Sequence, residues 1–475
     1  MPAYIIMRFC ILQYKSVKLI YFIRVGNECS TNKKCDTILM LNPKVTGGQL
    51  VSEKQIYTAL EISDQEVRLI VGEFFNTRFN IIKVERAGCQ GFDGEKVTDP
   101  DAVAASVRKA AEHAGKMIAS TIKGVILAIP SMGMRRYSFK STVPVEGIDH
   151  TITVQDIRNA MKRAQNMEID KNSALIQTVN VKYTVDGITT RRIPIGDRCN
   201  SLTVDIDLLC AQRHLAYDLV GCVEKAGLKV MDIFLDVYAV GKEAALIEQS
   251  VNKQIIILKM ERNSTSFGLL RKGRLFTGTV LPAGLGNIAG VLTDQYGIEP
   301  RSAAELIKYS ARLDSKVLSD NPVHIWSNND ETHTISEKEL VEAVMPNVNI
   351  WLDLVQKTCE PILKAGETAV IITGEGGETH GLSQLLCEKL QTEVRTYVPD
   401  TLGARNACLT ACLGLFYAYK DRLPITGYTD ESIDMDAFIK AVSYREKKNE
   451  GNNTREDTLT SKLKGLFLEN KKVER

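Results

Sequence analysis

The stretch ALEISDQEVRLIVGE, residues 59–73, decides how the rest of the chain is read. Leu60 and Ile62 are apolar, Ser63 to Glu66 are polar, and Val67, Leu69 and Val71 recur at every second position. An apolar period of two on both sides of a short polar run predicts a strand, a tight turn and a second strand. Such a turn can present successive backbone N–H groups to an anion, and glycine favours this by allowing left-handed backbone and close approach. Here the turn has no glycine, and Glu61, Asp64 and Glu66 crowd it with carboxylates. The shape of an anion site is legible; its chemistry is not.

Working outward, 475 residues predict two to four subdomains. With 44% hydrophobic residues, 25% charged residues and a net charge of +2, the composition is that of an ordinary globular protein. It lacks the basic excess of a general nucleic-acid binder, so no nucleic-acid partner is expected. The 11 cysteines form no CxxC pair, which argues against a disulfide framework or zinc site and for a reducing compartment. The 6 histidines are scattered and read as packing or surface residues, and no metal is expected. No run of 18 apolar residues exists to span a membrane. Residues 1–50 are expected to be an extension upstream of a biological start near Val51: Arg8, Lys15, Lys18 and Arg24 interrupt the apolar beginning, and residues 26–50 show no period.

The opening pattern has an echo. Residues 56–88 read as strand, turn, strand, turn, strand and end in Ala87-Gly88; residues 255–284 repeat the plan and end in Ala283-Gly284. A helical stretch follows each, DAVAASVRKAAEHAGKMI in the first and NIAGVLTDQYG in the second. Two such halves predict a duplicated α/β fold with a cleft between them. Residues 138–230 form an α+β insert in the first half, with a capping-box pattern from Thr153 to Asp156. A second amphipathic helix there stops at Gly227. In the second half, helical stretches begin at Pro300 and Ser336 and flank a polar loop around SDNPVHIWSNNDETHTIS. AVIITGEGGETHGLSQLLCEKL then reads as buried strand, glycine-rich turn and helix.

The end of the chain differs in kind. Residues 443–458 hold little apolar content and predict a disordered linker. Beyond it, Leu459, Leu463, Leu466 and Phe467 fall at helical spacing, with Lys462, Lys464, Lys471 and Lys472 around them. From Lys440 onward there are 10 Lys/Arg against 6 Asp/Glu, so positive charge is concentrated in the tail. A basic amphipathic helix of this type can lie in an anionic headgroup layer, each basic residue contributing about 1 kcal/mol. A single anchor of this size is marginal, so many would have to act together on a polymer. The other reading of the tail is a helix docked on its own domain or on a partner.

Together these features resemble FtsA, the bacterial cell-division family, over about residues 52–475. The resemblance is carried by GFDGEKVTDPDAVAASVRKAAEHA, by VEKAGLKV, by ELVEAVMPNVNIWLDLV and by the basic amphipathic end, in that order. It implies an actin-like (ribonuclease H-like) fold of duplicated βββαβα halves around a cleft. Its divisions would be 51–137 (subdomain IA), 138–230 (inserted SHS2-like subdomain IC), 231–253 (return to IA), 254–297 (IIA), 298–345 (IIB) and 346–442 (IIA again). The linker 443–458 and a membrane-targeting helix 459–475 would follow. It also implies filaments of the protein itself, and partners in the FtsZ C-terminal tail, later division proteins met through IC, and the anionic inner face of the membrane at the septum.

ATP with magnesium is the cofactor the resemblance implies, and the matching residues argue against it. The family's first phosphate turn, Asp-Ile-Gly-Ser/Thr-x-Lys, falls on Glu61, Ile62, Ser63, Asp64, Gln65 and Glu66, so a carboxylate replaces the lysine. At 4 Å from a phosphate charge that costs about 4 kcal/mol at an effective dielectric of 20. The second, Asp-Ile-Gly-Gly-Gly-Thr, falls on Lys259, Met260, Glu261, Arg262, Asn263 and Ser264, leaving Gly284 and Gly286 nearby. Lys259 and Arg262 could attract phosphate by charge alone. The adenosine turn keeps Gly374, Gly376, Gly377 and Gly381 around Glu375, and Glu305 and Lys308 match the helix beside the adenine. A degenerate site is expected, with ATP binding weak or lost, no catalysis, and turn acids such as Asp64 simply solvated. The alternatives are a PilM-type pilus component, which should lack the terminal helix, and an actin-like ATPase or sugar kinase, which should keep its glycine turns.

Overall fold

The computed structural model describes residues 55–442 apart from 76–77, 147, 167, 329–330 and 427–430. The expected extension 1–50, linker 443–458 and terminal helix with Leu459, Lys462, Leu463, Lys464, Leu466, Phe467, Lys471 and Lys472 lie outside the described residues.

The quoted stretch forms β1 (Gln55–Ile62) and β2 (Glu66–Phe75), and β3 (Arg78–Gly88) completes the meander. Asp99 caps α1 (Pro100–Ile118) by accepting hydrogen bonds from the Asp101 and Ala102 amides. β4 (Gly124–Ile129) then lies parallel to β1. The chain next makes β5 (Arg135–Pro144), α2 (Val154–Gln165), β6 (Ser173–Val185), β7 (Ile188–Thr190) and β8 (Ser201–Gln212). These four strands form their own sheet in the order β5-β8-β6-β7. α2 opens with the Thr153–Asp156 capping box, and Ile157, Ala160 and Ala164 bury its inner face.

α3 (Arg213–Lys225) and β9 (Lys229–Leu235) correct the expected end of the insert. β9 pairs with β4 and closes the first sheet as β3-β2-β1-β4-β9, while Leu219, Cys222 and Val223 of α3 pack into the core that holds α1. The run from 213 to 230 therefore belongs to the first lobe. Its amphipathic helix looked like a continuation of the insert because amphipathicity reports that a face is buried and not against what.

α4 (Asp236–Glu243) and α5 (Leu246–Gln249) lead to the second lobe. Its meander is β10 (Gln254–Met260), β11 (Thr265–Arg271) and β12 (Arg274–Leu281), followed by α6 (Leu285–Tyr296) and α7 (Pro300–Ser310). The expected polar loop is a hairpin of β13 (Pro322–Asn328) and β14 (Glu331–Ser336), its polarity reflecting a two-stranded sheet with little to cover. α8 (Glu337–Leu363), β15 (Thr368–Thr373), α9 (Leu382–Leu390), β16 (Glu393–Thr396) and α10 (Thr410–Thr426) follow. The second sheet runs β12-β11-β10-β15-β16, the same plan as the first. The duplicated actin-like halves are present.

Period-two alternation divides each sheet between two cores. In β1, Leu60 and Ile62 meet α1, whereas Tyr57 and Ala59 meet α10. In β10, Ile256 and Leu258 join the core of α6, α7 and α8, and Ile255 and Ile257 face Val237 and Val240 of α4. α4 thus joins the lobes. α10 crosses it at Gly414, where a Cβ would collide with the Ala239 carbonyl.

Candidate functional site

The tips of the two meanders meet across the cleft. β1 and β2 pair with Glu61 directly opposite Arg68, so both side chains leave the same face of the sheet at its turn end. Lys259 and Glu261, two residues apart at the end of β10, project from the other lobe toward them. Arg68 is fully buried and donates to both carboxylate oxygens of Glu261, at 2.9 and 2.6 Å. It also reaches Glu61 at 3.4 Å, Glu66 at 2.5 Å and the Cys408 carbonyl at 2.9 Å. Lys259 lies 2.6 Å from Glu61, 3.3 Å from Asp236 and 3.5 Å from Glu261. Asp236, at the start of α4, also accepts from the Ser131 amide and hydroxyl and from Ser266.

Three buried carboxylates, Glu61, Asp236 and Glu261, and the partly exposed Glu66 therefore share two buried cations. Burial acts to raise the Glu261 carboxyl, but Arg68 and Lys259 outweigh it and hold it below the usual carboxylate range. Burial likewise acts to lower the Lys259 ammonium, and Glu61, Glu261 and Asp236 hold it firmly protonated.

Asp64 makes the other crossing. Its carboxylate accepts from the Arg262 amide at 3.3 Å, the Asn263 amide at 2.5 Å and the Ser264 hydroxyl at 3.4 Å. With 2% exposure, Asp64 is not the solvated turn acid the sequence suggested. Burial, then the charge of Glu261, pushes its carboxyl up to about 7 against the pull of the Asn263 amide and Arg68. The loop after β3 covers the spot: a Cβ on Gly94, at φ +98°, would come within 2.9 Å of the Ser264 hydroxyl.

The remaining sequence candidates fall into two groups. Ser63 and Ser264 are buried in the closed turns, and Gln65 stands exposed at their edge. Gly284 starts α6 against the second turn, where a Cβ would collide with the Glu261 carbonyl; its amide donates to Asn287. Lys259 and Arg262 are not available to attract phosphate: the first holds the carboxylates just named, and the second is paired with Glu375. On the adenosine side, a cleft of about 790 Å³ is lined by Gln65, Arg86, Arg262, Glu305, Lys308 and Glu375. There Lys308 meets Glu378 at 3.1 Å, and Glu305 pairs with Arg301. Gly374, at φ +90°, and Gly376 let their turn pass β10, since a Cβ on either would lie 2.5 Å from Met260 atoms. Gly377 is buried in the same turn.

A triphosphate does not fit these residues. The backbone donors of the second turn are already engaged by Asp64, and the surrounding space holds Glu61 and Glu261. Sequence reasoning missed Arg68 and Asp236. A signal for Arg68 was present: an arginine alternating with apolar residues in a buried strand, opposite a glutamate, must be paired. Asp236 gave none beyond its place after a strand.

Comparison with known proteins agrees with this architecture. A family model described as the SHS2 domain inserted in FtsA matches residues 133–210, which start and end close to β5 and β8. Cell division protein FtsA of Bacillus subtilis (strain 168) is 24% identical over 376 residues, covering 77% of this chain and 83% of that protein. Cell division protein FtsA of Escherichia coli (strain K12) is 21% identical over 363 residues, covering 73% and 85%. Among solved structures, the PilM-PilN type IV pilus biogenesis complex superposes with a TM-score of 0.51 at 12% identity, over 76% of this chain and 98% of that one, a likeness of fold. The likeness to FtsA extends over about three quarters of the chain and includes the insert.

Proposed function

We propose that this protein acts in bacterial cell division as an actin-like scaffold that tethers FtsZ filaments to the cytoplasmic face of the membrane and does not turn over ATP. The observation that carries this reading is the insert: an SHS2 domain of the FtsA type interrupts the first half of the body at residues 133–210. The relatives named cell division protein FtsA extend the likeness to both lobes. The PilM alternative has support from fold alone.

In this role the FtsZ C-terminal tail docks on the second lobe, later division proteins meet the insert, and copies of the chain associate into filaments. No helix among the described residues is long and apolar enough to cross a membrane. Attachment at the septum is assigned to the surface contact of Leu459, Leu463, Leu466 and Phe467 with their lysines. The ATPase alternative is disfavoured by the occupied donors of the second turn and by the carboxylates Glu61, Asp64 and Glu261 where phosphate charge would sit.

The test combines localisation with binding. A fluorescent fusion in dividing cells of the source bacterium is expected to form a midcell band that disappears when FtsZ is depleted. Purified protein is expected to bind an FtsZ C-terminal peptide, and to show no magnesium-dependent ATP binding at micromolar concentration. Even cytosolic fluorescence together with no peptide binding would defeat the scaffold reading. Micromolar ATP binding would defeat the claim of a lost cofactor.

A further inference from the structure

The donors that a phosphate-binding turn offers to a ligand are here aimed at the chain's own Asp64. We propose that Asp64 is a built-in anion seated in the second turn, closing the two lobes on each other in place of a nucleotide. This deepens the scaffold reading and rests on it in taking the interlobe cleft as the fold's nucleotide cleft.

Three observations converge. The carboxylate comes from the β1–β2 turn of one lobe, while all three donors, the Arg262 and Asn263 amides and the Ser264 hydroxyl, come from the β10–β11 turn of the other. Two backbone N–H groups and a hydroxyl around one carboxylate make the kind of nest that elsewhere holds a phosphate oxygen. The groups on either side cross the cleft as well: Arg68 to Glu261, and Lys259 to Glu61 and Asp236. The Gly94 loop then covers Ser264 and Asp64. Burial, Glu261 and Glu375 oppose the Asp64 charge, and the Asn263 amide and Arg68 favour it, so the nest holds one carboxylate, ionised above about pH 7, and disfavours a polyanion.

A tethered anion also has a concentration advantage. An intramolecular ligand on a short span competes at an effective concentration of about millimolar or above. A free nucleotide would have to displace it and also place phosphate charge beside the neighbouring carboxylates. The closed arrangement is therefore available in the absence of nucleotide and indifferent to its supply.

The test uses the full chain at pH 8, above the value of about 7 at which Asp64 ionises in the fold, and formate as the probe, with chloride at equal ionic strength as control. In Asp64→Ala the nest loses its anion. Thermal unfolding is expected about 2–4 °C lower, and amide exchange at residues 261–265 is expected to speed up. Formate should restore both in part, while wild type responds to neither formate nor MgATP. Asp64→Asn, which fills the space without the charge, should exchange faster at 261–265 and gain nothing from formate. Exchange at 261–265 unchanged in both variants overturns the proposal, as does an equal formate response in wild type and Asp64→Ala. If Asp64→Ala fails to fold, Asp64→Asn decides: faster exchange supports the proposal and unchanged exchange overturns it. A rise in the wild-type midpoint with MgATP would overturn this proposal together with the reading of a lost cofactor. Missing formate rescue in a folded Asp64→Ala would overturn the Asp64 assignment alone.

Discussion

Glu61 and Arg68 face each other across the first hairpin, and the same guanidinium extends over the cleft to grip Glu261 with two hydrogen bonds of 2.9 and 2.6 Å. One side chain thus belongs both to the sheet of its own lobe and to the join between lobes.

Removing it should be costly. Arg68→Ala leaves Glu261 buried without its main cation and Glu61 with Lys259 alone, and loss of one partner of a buried pair destabilises by about 3–5 kcal/mol. Urea unfolding of the variant should show an unfolding free energy lower by that amount. The double variant Arg68→Met with Glu261→Met should recover a large share of the loss, because it removes the stranded charge. A single variant as stable as wild type would show that the pair carries no weight.

The pH dependence of stability should carry the mark of Asp64. Its carboxyl titrates at about 7 in the fold against 3.8 ordinarily, so between these values the folded state holds a proton that the unfolded state has released. That contribution is fully present below pH 3.8 and is lost as pH rises through about 7. Unfolding free energies of wild type and Asp64→Asn across pH 5 to 8 isolate it: the variant should lose stability less steeply as pH rises.

Gly414→Ala tests how α4 and α10 hold the lobes. The new methyl would meet the Ala239 carbonyl at the helix crossing, and overpacking of this kind costs about 1–3 kcal/mol. The midpoint of chemical denaturation should fall accordingly. Ala→Gly at the exposed helical position 105 serves as a control, with a loss of no more than about 1 kcal/mol.

The tail predicts a separable function. Deleting residues 459–475 should abolish sedimentation with anionic liposomes and leave FtsZ-peptide binding intact. Leu463→Glu should weaken liposome binding strongly by placing a charge in the apolar stripe. Undiminished sedimentation of the truncated protein would remove the membrane contact from this segment.

The sequence determined the two meanders, the helices after them and the loss of the phosphate glycines. Each is a local property: strand alternation, helical periodicity, a capping box, and turns without glycine that carry carboxylates unfavourable to a phosphate chain. The family resemblance assigned Glu61, Asp64 and Glu261 to two turns of one cleft. What it could not fix was their environment, since an acid in a turn is exposed in most proteins and its burial depends on the other lobe. The pairing of Arg68 with Glu261, 193 residues away, and of Asp64 with the Asn263 amide, 199 away, exists only once the halves close. The return of α3 and β9 to the first sheet was likewise a matter of which surface their apolar faces met. Local period gave the elements, whereas charge compensation in a solvent-free cleft, a property of the assembled lobes, decided what the cleft can hold.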